Sequence, residues 1–97
     1  MSCSHSDPEF YYRDDILLEA QKIINGDRAN DYGDNNETQQ RIATMWSGLL
    51  GVEIKAHQVP LMFIAAKALR ASRNARHIDS WIDIAGYAAL GGEIGTQ

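Results

Sequence analysis

"HIDSWIDIAGYAAL", residues 77–90, decides how this chain folds. Its apolar residues cover most of a helical circumference, yet Asp79 and Asp83 stand four apart. That spacing puts the two carboxylates on one face, one turn above the other. Just before it, "RNARH" (73–77) reads as a turn, and "AHQVPLMFIAAKALRAS" (56–72) as another helix. Pro60 is tolerable there only because it falls in the first turn. From Val59 to Ala66 the helix is apolar all round, which predicts the central, most buried element. A short turn centred near Ala75 makes the two helices antiparallel neighbours. Lys67 lies eight residues before that centre and Asp83 eight after; Arg70 lies five before and Asp79 four after. Lys67 and Arg70 share a face, so a stripe of two cations is expected to meet a stripe of two carboxylates.

Working back toward the N-terminus, Asp7, Pro8 and Glu9 suit a helix start, and Asn25-Gly26 suits its end. Between them Leu17, Ala20 and Ile24 recur at helical spacing, with Ile16 and Ile23 beside them. "GDRANDYGD" (26–34) is a loop by composition. Asp34 followed by Glu37 resembles a capping box, and the helix behind it carries Ile42, Met45, Trp46 and Leu49 on one face. Glu37 and Arg41 form an i,i+4 pair on its outside, and Gly51 stops it. No alternating run bounded by turns suggests a strand. The expectation is an all-α chain: a compact bundle of four helices near residues 8–25, 35–50, 57–73 and 78–92. It should form a single domain over 1–97, with residues 1–7 flexible.

A chain of 97 residues buries a modest core and is marginal alone. Its one cysteine, Cys3, allows no disulfide framework and no zinc spacing. A lone cysteine and no signal-peptide pattern point to a reducing cytosol. The longest apolar run is short and broken by Lys67, which predicts no membrane span. A net charge of −4 argues against duplex nucleic acid as a partner. Trp46, Phe63, Trp81 and the Leu49-Leu50 pair offer more apolar surface than four short helices can hide, so a homo-oligomer is expected.

Two readings of the charged stripe stay open. One is a pair of interhelical salt bridges. The other is a polar site in which Asp79 and Asp83 hold Mg²⁺ while Lys67 and Arg70 bind phosphate charge. The acidic loop adds Asp34 and Glu37 as further metal ligands. Arg28 could grip a phosphate and Tyr32 could stack on a base. Other groups carry less: Ser47 and Ser80 lack a histidine at suggestive spacing, and His57 and His77 suit exposed or capping roles. "GGEIG" has neither the strand nor the Lys-Ser/Thr of a phosphate loop.

The order "GDR…YGD…E…RIA.MW…LG", "LM…K..R" and "D…D.AGYAAL" resembles a family of small phage and prophage proteins classed as a domain of unknown function. The resemblance runs from about Ile16 to Glu93. It implies a phage-encoded helical protein acting in a bacterial cytoplasm. That pattern leads one to expect an acidic residue near Gln58, where this chain carries an amide. A more distant similarity is to MazG-like all-α nucleotide pyrophosphohydrolases, in which Asp79 and Asp83 would match Mg²⁺ carboxylates on a late helix. The chain departs from that pattern: in place of an early Glu-x-x-Glu it has Asp15 and Glu19, or Glu37 alone. Three functions follow as alternatives. The first is binding without turnover, of a nucleotide, another phosphate-bearing ligand or a host protein, in an anti-defence or regulatory role. The second is Mg²⁺-dependent pyrophosphohydrolysis. The third is a purely structural oligomeric module.

Overall fold

The computed structural model describes residues 11–26 and 35–97. Among them lie four helices and no strand: α1 (Arg13–Asn25), α2 (Asn35–Leu50), α3 (Gln58–Arg73) and α4 (Ile78–Gly95). The all-α expectation holds, and three of the four helices begin within one residue of where the pattern puts them.

α1 is the exception. Tyr11 and Tyr12 precede the helix, with Tyr12 in extended backbone. The Asp15 carboxylate accepts the Tyr12 N–H at 3.1 Å, the N3 half of a capping box, and this fixes the start at Arg13. Asp7 and Pro8, the expected starters, lie outside the described residues. The packed stripe also differs by one position. Ala20 is buried and Ile16, Ile23 and Ile24 half-buried, while Leu17 is exposed.

The first three helix stops are as expected, while α4 runs on to Gly95, past the expected end near 92. α1 ends on Gly26. After α2, Gly51 takes φ +73 and its N–H returns to the Ser47 carbonyl at 2.9 Å, a left-handed cap for which glycine has no steric penalty. The Ser47 hydroxyl then accepts the Ile54 N–H at 2.7 Å, which pins the connection leading to α3. At the head of α3 the Gln58 side-chain carbonyl accepts the Lys55 N–H at 2.7 Å. The amide found where an acid was expected therefore serves as a neutral acceptor.

The central helix is α4, not α3. α4 packs on both α3 and α1, whereas α2 leans on α3 alone among the principal helix pairs. Small residues explain the difference. Gly86 lets Ile24 of α1 come close enough that a Cβ there would meet its Cγ2 at 3.3 Å. Gly91 does the same for Pro60 of α3, whose Cγ would lie 3.1 Å away. The largest fully buried side chains are Ile82, Val59, Pro60 and Ser80, all at the α3–α4 contact or on α4 itself. An aromatic row links three helices: Trp46 lies 5.7 Å from Phe63, which stacks on Tyr87 at 5.1 Å and 22°.

α2 is also rotated from its expected packing. Gln39 and Ala43 are buried and Trp46 half-buried, while Met45 and Leu49 face outward. Its apolar face is wider than its single neighbour can cover. No helix among the described residues is long and apolar enough to cross a membrane.

Candidate functional site

Two contacts define the register of α3 against α4. Phe63 stacks on Tyr87, and the Lys67 ammonium meets the Asp83 carboxylate at 2.9 Å. The Lys67–Asp83 partnership is the one that counting from the turn predicts. Both side chains keep about a quarter of their surface in water (25% and 27%), so the pair is half-sheltered between the helices. A second pair at the next turn does not form. Stepping four residues along each helix brings Asp79 to the level of Ala71, not of Arg70. Ala71 is buried and Arg70 is exposed. One Asp79 carboxylate oxygen is buried and has no hydrogen-bond partner. Distance from the turn sets height along a helix, but 100° of rotation separates Arg70 from Ala71.

The remaining expected ligands are scattered or beyond view. Glu37 pairs with Arg41 at 3.4 Å on the exposed side of α2, as i,i+4 spacing predicts. Arg28, Tyr32 and Asp34 lie outside the described residues. Among the described residues, no group of three Asp, Glu, His or Cys side chains is placed to hold one metal ion. Ser80 is buried with its hydroxyl unpartnered. The Ser47 hydroxyl is engaged with the backbone of Ala43 and Ile54. Trp81 closes the α3–α4 turn by donating its indole N–H to the Ala75 carbonyl at 2.9 Å. An open cleft of about 440 Å³ lies between α2 and the strap at residues 53–56, floored by Ala43, Ser47 and Ala56. It is not lined by any member of the charged stripe.

The most extensive feature is one that sequence reasoning assigned to the interior. Between Gln58 and Leu69 the only charged residue is Lys67, and its ammonium is tied to α4. The other side of α3 exposes Leu61, Met62, Ala65, Ala66, Ala68 and Leu69. Met45, Leu49, Leu50 and Val52 are exposed along α2 and just past its end. The seven large apolar side chains in these two groups are each 46–76% exposed. The signal was present in the sequence as a helix apolar all round. Such a helix predicts burial within one chain, and here one side of it faces water.

The chain is similar to the Gene 55 protein of Mycobacterium phage L5, with 47% identity over 76 residues, covering 77% of this chain and 49% of that protein. It is also similar to the Gene 55 protein of Mycobacterium phage D29, with 41% identity over 73 residues, covering 75% of this chain and 48% of that protein. The chain thus spans about half the length of the curated relatives it matches. No solved structure matches it. The expected kinship with phage proteins is carried by these relatives, and the match of residues 15–95 to DUF6378, a domain of unknown function, shows that the chain belongs to that family.

Proposed function

We propose that this chain works by binding without turnover, as a helical docking module for a protein surface. The observation that carries this reading is the apolar, uncharged outer side of α3 and the adjoining end of α2. Exposed large apolar side chains in this number on a small chain mark an interaction site. Phosphate recognition fits the same surface poorly, because it needs uncommitted cations. Between Gln58 and Leu69 the one cation is the Lys67 ammonium, and it is committed to Asp83; Arg70, beyond the end of that stretch, stands alone.

A panel of nucleoside triphosphates and deoxynucleoside triphosphates with Mg²⁺ tests this. The expected result is no pyrophosphate release and no change in melting temperature. A nucleotide-dependent rise in melting temperature would overturn the reading, since any ligand of the native state stabilises it.

One observation favours a second reading, a Mg²⁺-dependent phosphate site of the MazG type at Asp79 and Asp83. It is the buried, unpartnered carboxylate oxygen of Asp79, a hard donor of the kind Mg²⁺ accepts. That site would need ligands from residues 27–34. The same panel separates the two, with Asp83→Asn abolishing any Mg²⁺-dependent response only under the second reading.

A further inference from the structure

The outer side of α3 combines features that point to one occupant. We infer that it packs against the same face of a second copy of this chain, with the two α3 helices antiparallel about a two-fold axis near Ala65. This rests on the docking reading above and names its partner. The first argument is area. The exposed parts of Leu61, Met62 and Leu69, with the alanines between them, supply roughly half of the ~800 Å² that each partner of a standard specific interface buries, and Met45, Leu49, Leu50 and Val52, along and just past the end of the helix packed against α3, offer a similar amount.

The second argument is self-complementarity. Leu61, Ala65 and Leu69 recur every four residues, large-small-large, on the solvent side of α3. Antiparallel pairing about Ala65 sets each Leu61 against the partner copy's Leu69 and leaves small side chains where the helices cross. A two-fold contact needs one patch to match itself in this way.

The third argument is charge. Arg70 and Arg73 occupy the last turn of α3, and its first turn has no acidic residue. Parallel pairing would bring four arginines together. Antiparallel pairing about Ala65 separates the Arg70 copies by roughly 15 Å and the Arg73 copies by roughly 24 Å along the axis. It also aligns the helix dipoles favourably.

Sedimentation of the full chain, with single-cysteine crosslinking, tests the inference. The wild type is expected to sediment at twice 10.8 kDa at micromolar concentration. Leu61→Glu/Leu69→Glu changes two side chains that are already exposed within the monomer, so helical circular dichroism should persist. Its dimer should weaken at least about 100-fold, because each interface would seat charges on apolar surface. With Cys3→Ser in the background, Ala65→Cys should form an intermolecular disulfide under mild oxidation. Ser72→Cys should not, because its copies would stand about 20 Å apart. If Leu61→Glu/Leu69→Glu fails to fold, the cysteine pair decides alone. A monomeric wild type, a charged variant that stays dimeric, or Ser72→Cys crosslinking ahead of Ala65→Cys would overturn the inference. A nucleotide response in the earlier panel would instead strike the docking reading, so the two failures are distinguishable.

Discussion

A double-mutant cycle on Lys67 and Asp83 measures what the interhelical ion pair contributes. Fully exposed pairs are worth about 0–1 kcal/mol, and breaking a buried pair costs about 3–5 kcal/mol. With a quarter of each side chain in water, this pair lies between those limits. The geometry is good, at 2.9 Å, but water and salt still reach it. Lys67→Met should therefore cost about 1–2 kcal/mol, because it leaves Asp83 half-sheltered and unpaired. Asp83→Asn should cost a similar amount. The double variant should cost less than the sum, leaving a coupling of about 1–1.5 kcal/mol. Urea unfolding followed by far-ultraviolet circular dichroism is the assay, at one fixed protein concentration because association alters apparent stability. Raising the salt to about 1 M should remove less than half of the coupling, since a half-sheltered pair is only partly screened. A coupling below about 0.3 kcal/mol would show that the pair is a surface contact and that α3 is not held by it.

Other positions carry contrasting expectations. Gly91→Ala should destabilise by about 1–2 kcal/mol, because its new Cβ would press on the rigid Pro60 ring at 3.1 Å. Gly92→Ala, which meets nothing within 4 Å, should stabilise by about 0.5–1 kcal/mol through helix propensity; thermal melts of the two variants compare them directly, and equal shifts would refute the packing assigned to α4. Asp79→Asn should raise stability by about 0.5 kcal/mol, because the relieved burial of an unpartnered carboxylate oxygen outweighs its favourable place in the first turn of α4. A loss above about 1 kcal/mol in the same melts would mean that this oxygen has a partner. Trp81→Phe removes the indole donor to Ala75 at a partly exposed site and should cost about 0.5–1 kcal/mol in urea unfolding. No loss would mean that the turn holds without it.

What the sequence made legible was punctuation and height along the helices. Gly51 ends α2 because glycine accepts left-handed backbone, here φ +73, and Gly26 ends α1 where a Cβ would meet the Lys22 carbonyl oxygen at 2.6 Å. Lys67 faces Asp83 because equal distance from a short turn places residues at one level of a hairpin. Rotation about the helix axis was less legible. The match of Arg70 with Asp79 failed by one residue of rotation, and Leu17, Met45 and Leu49 turned out to face water. The unbroken apolar run from Val59 to Ala66 also misplaced the central helix, although α4 is the more apolar of the two on average. What brings helices together here is the absence of side chain at Gly86 and Gly91. The start of α1 was missed because Asp7-Pro8 resembles a stronger cap than Tyr12, whereas the deciding group is Asp15, three residues inside.

The lysine on α3 has a second consequence. A helix that is apolar all round has no face marked by hydropathy, so its rotation on α4 rests on the seat of Pro60 at Gly91, the stacking of Phe63 on Tyr87 and one ion pair. Lys67 is the only charged residue between Gln58 and Leu69, and its pairing with Asp83 reinforces that rotation. That rotation turns the remaining, uncharged side outward, where a partner can use it. A buried or half-buried ion pair is a poor source of stability but a good source of registry. Replacing both partners with apolar residues, as in Lys67→Met/Asp83→Leu, should therefore leave stability within about 1 kcal/mol of wild type, or raise it. The cost should appear as lost uniqueness: doubled or broadened amide resonances along α3, and weaker dimerisation as Leu61 and Leu69 lose their fixed orientation. If the double apolar variant keeps one sharp set of resonances and dimerises as tightly as wild type, shape alone orients α3 and the ion pair has no such role.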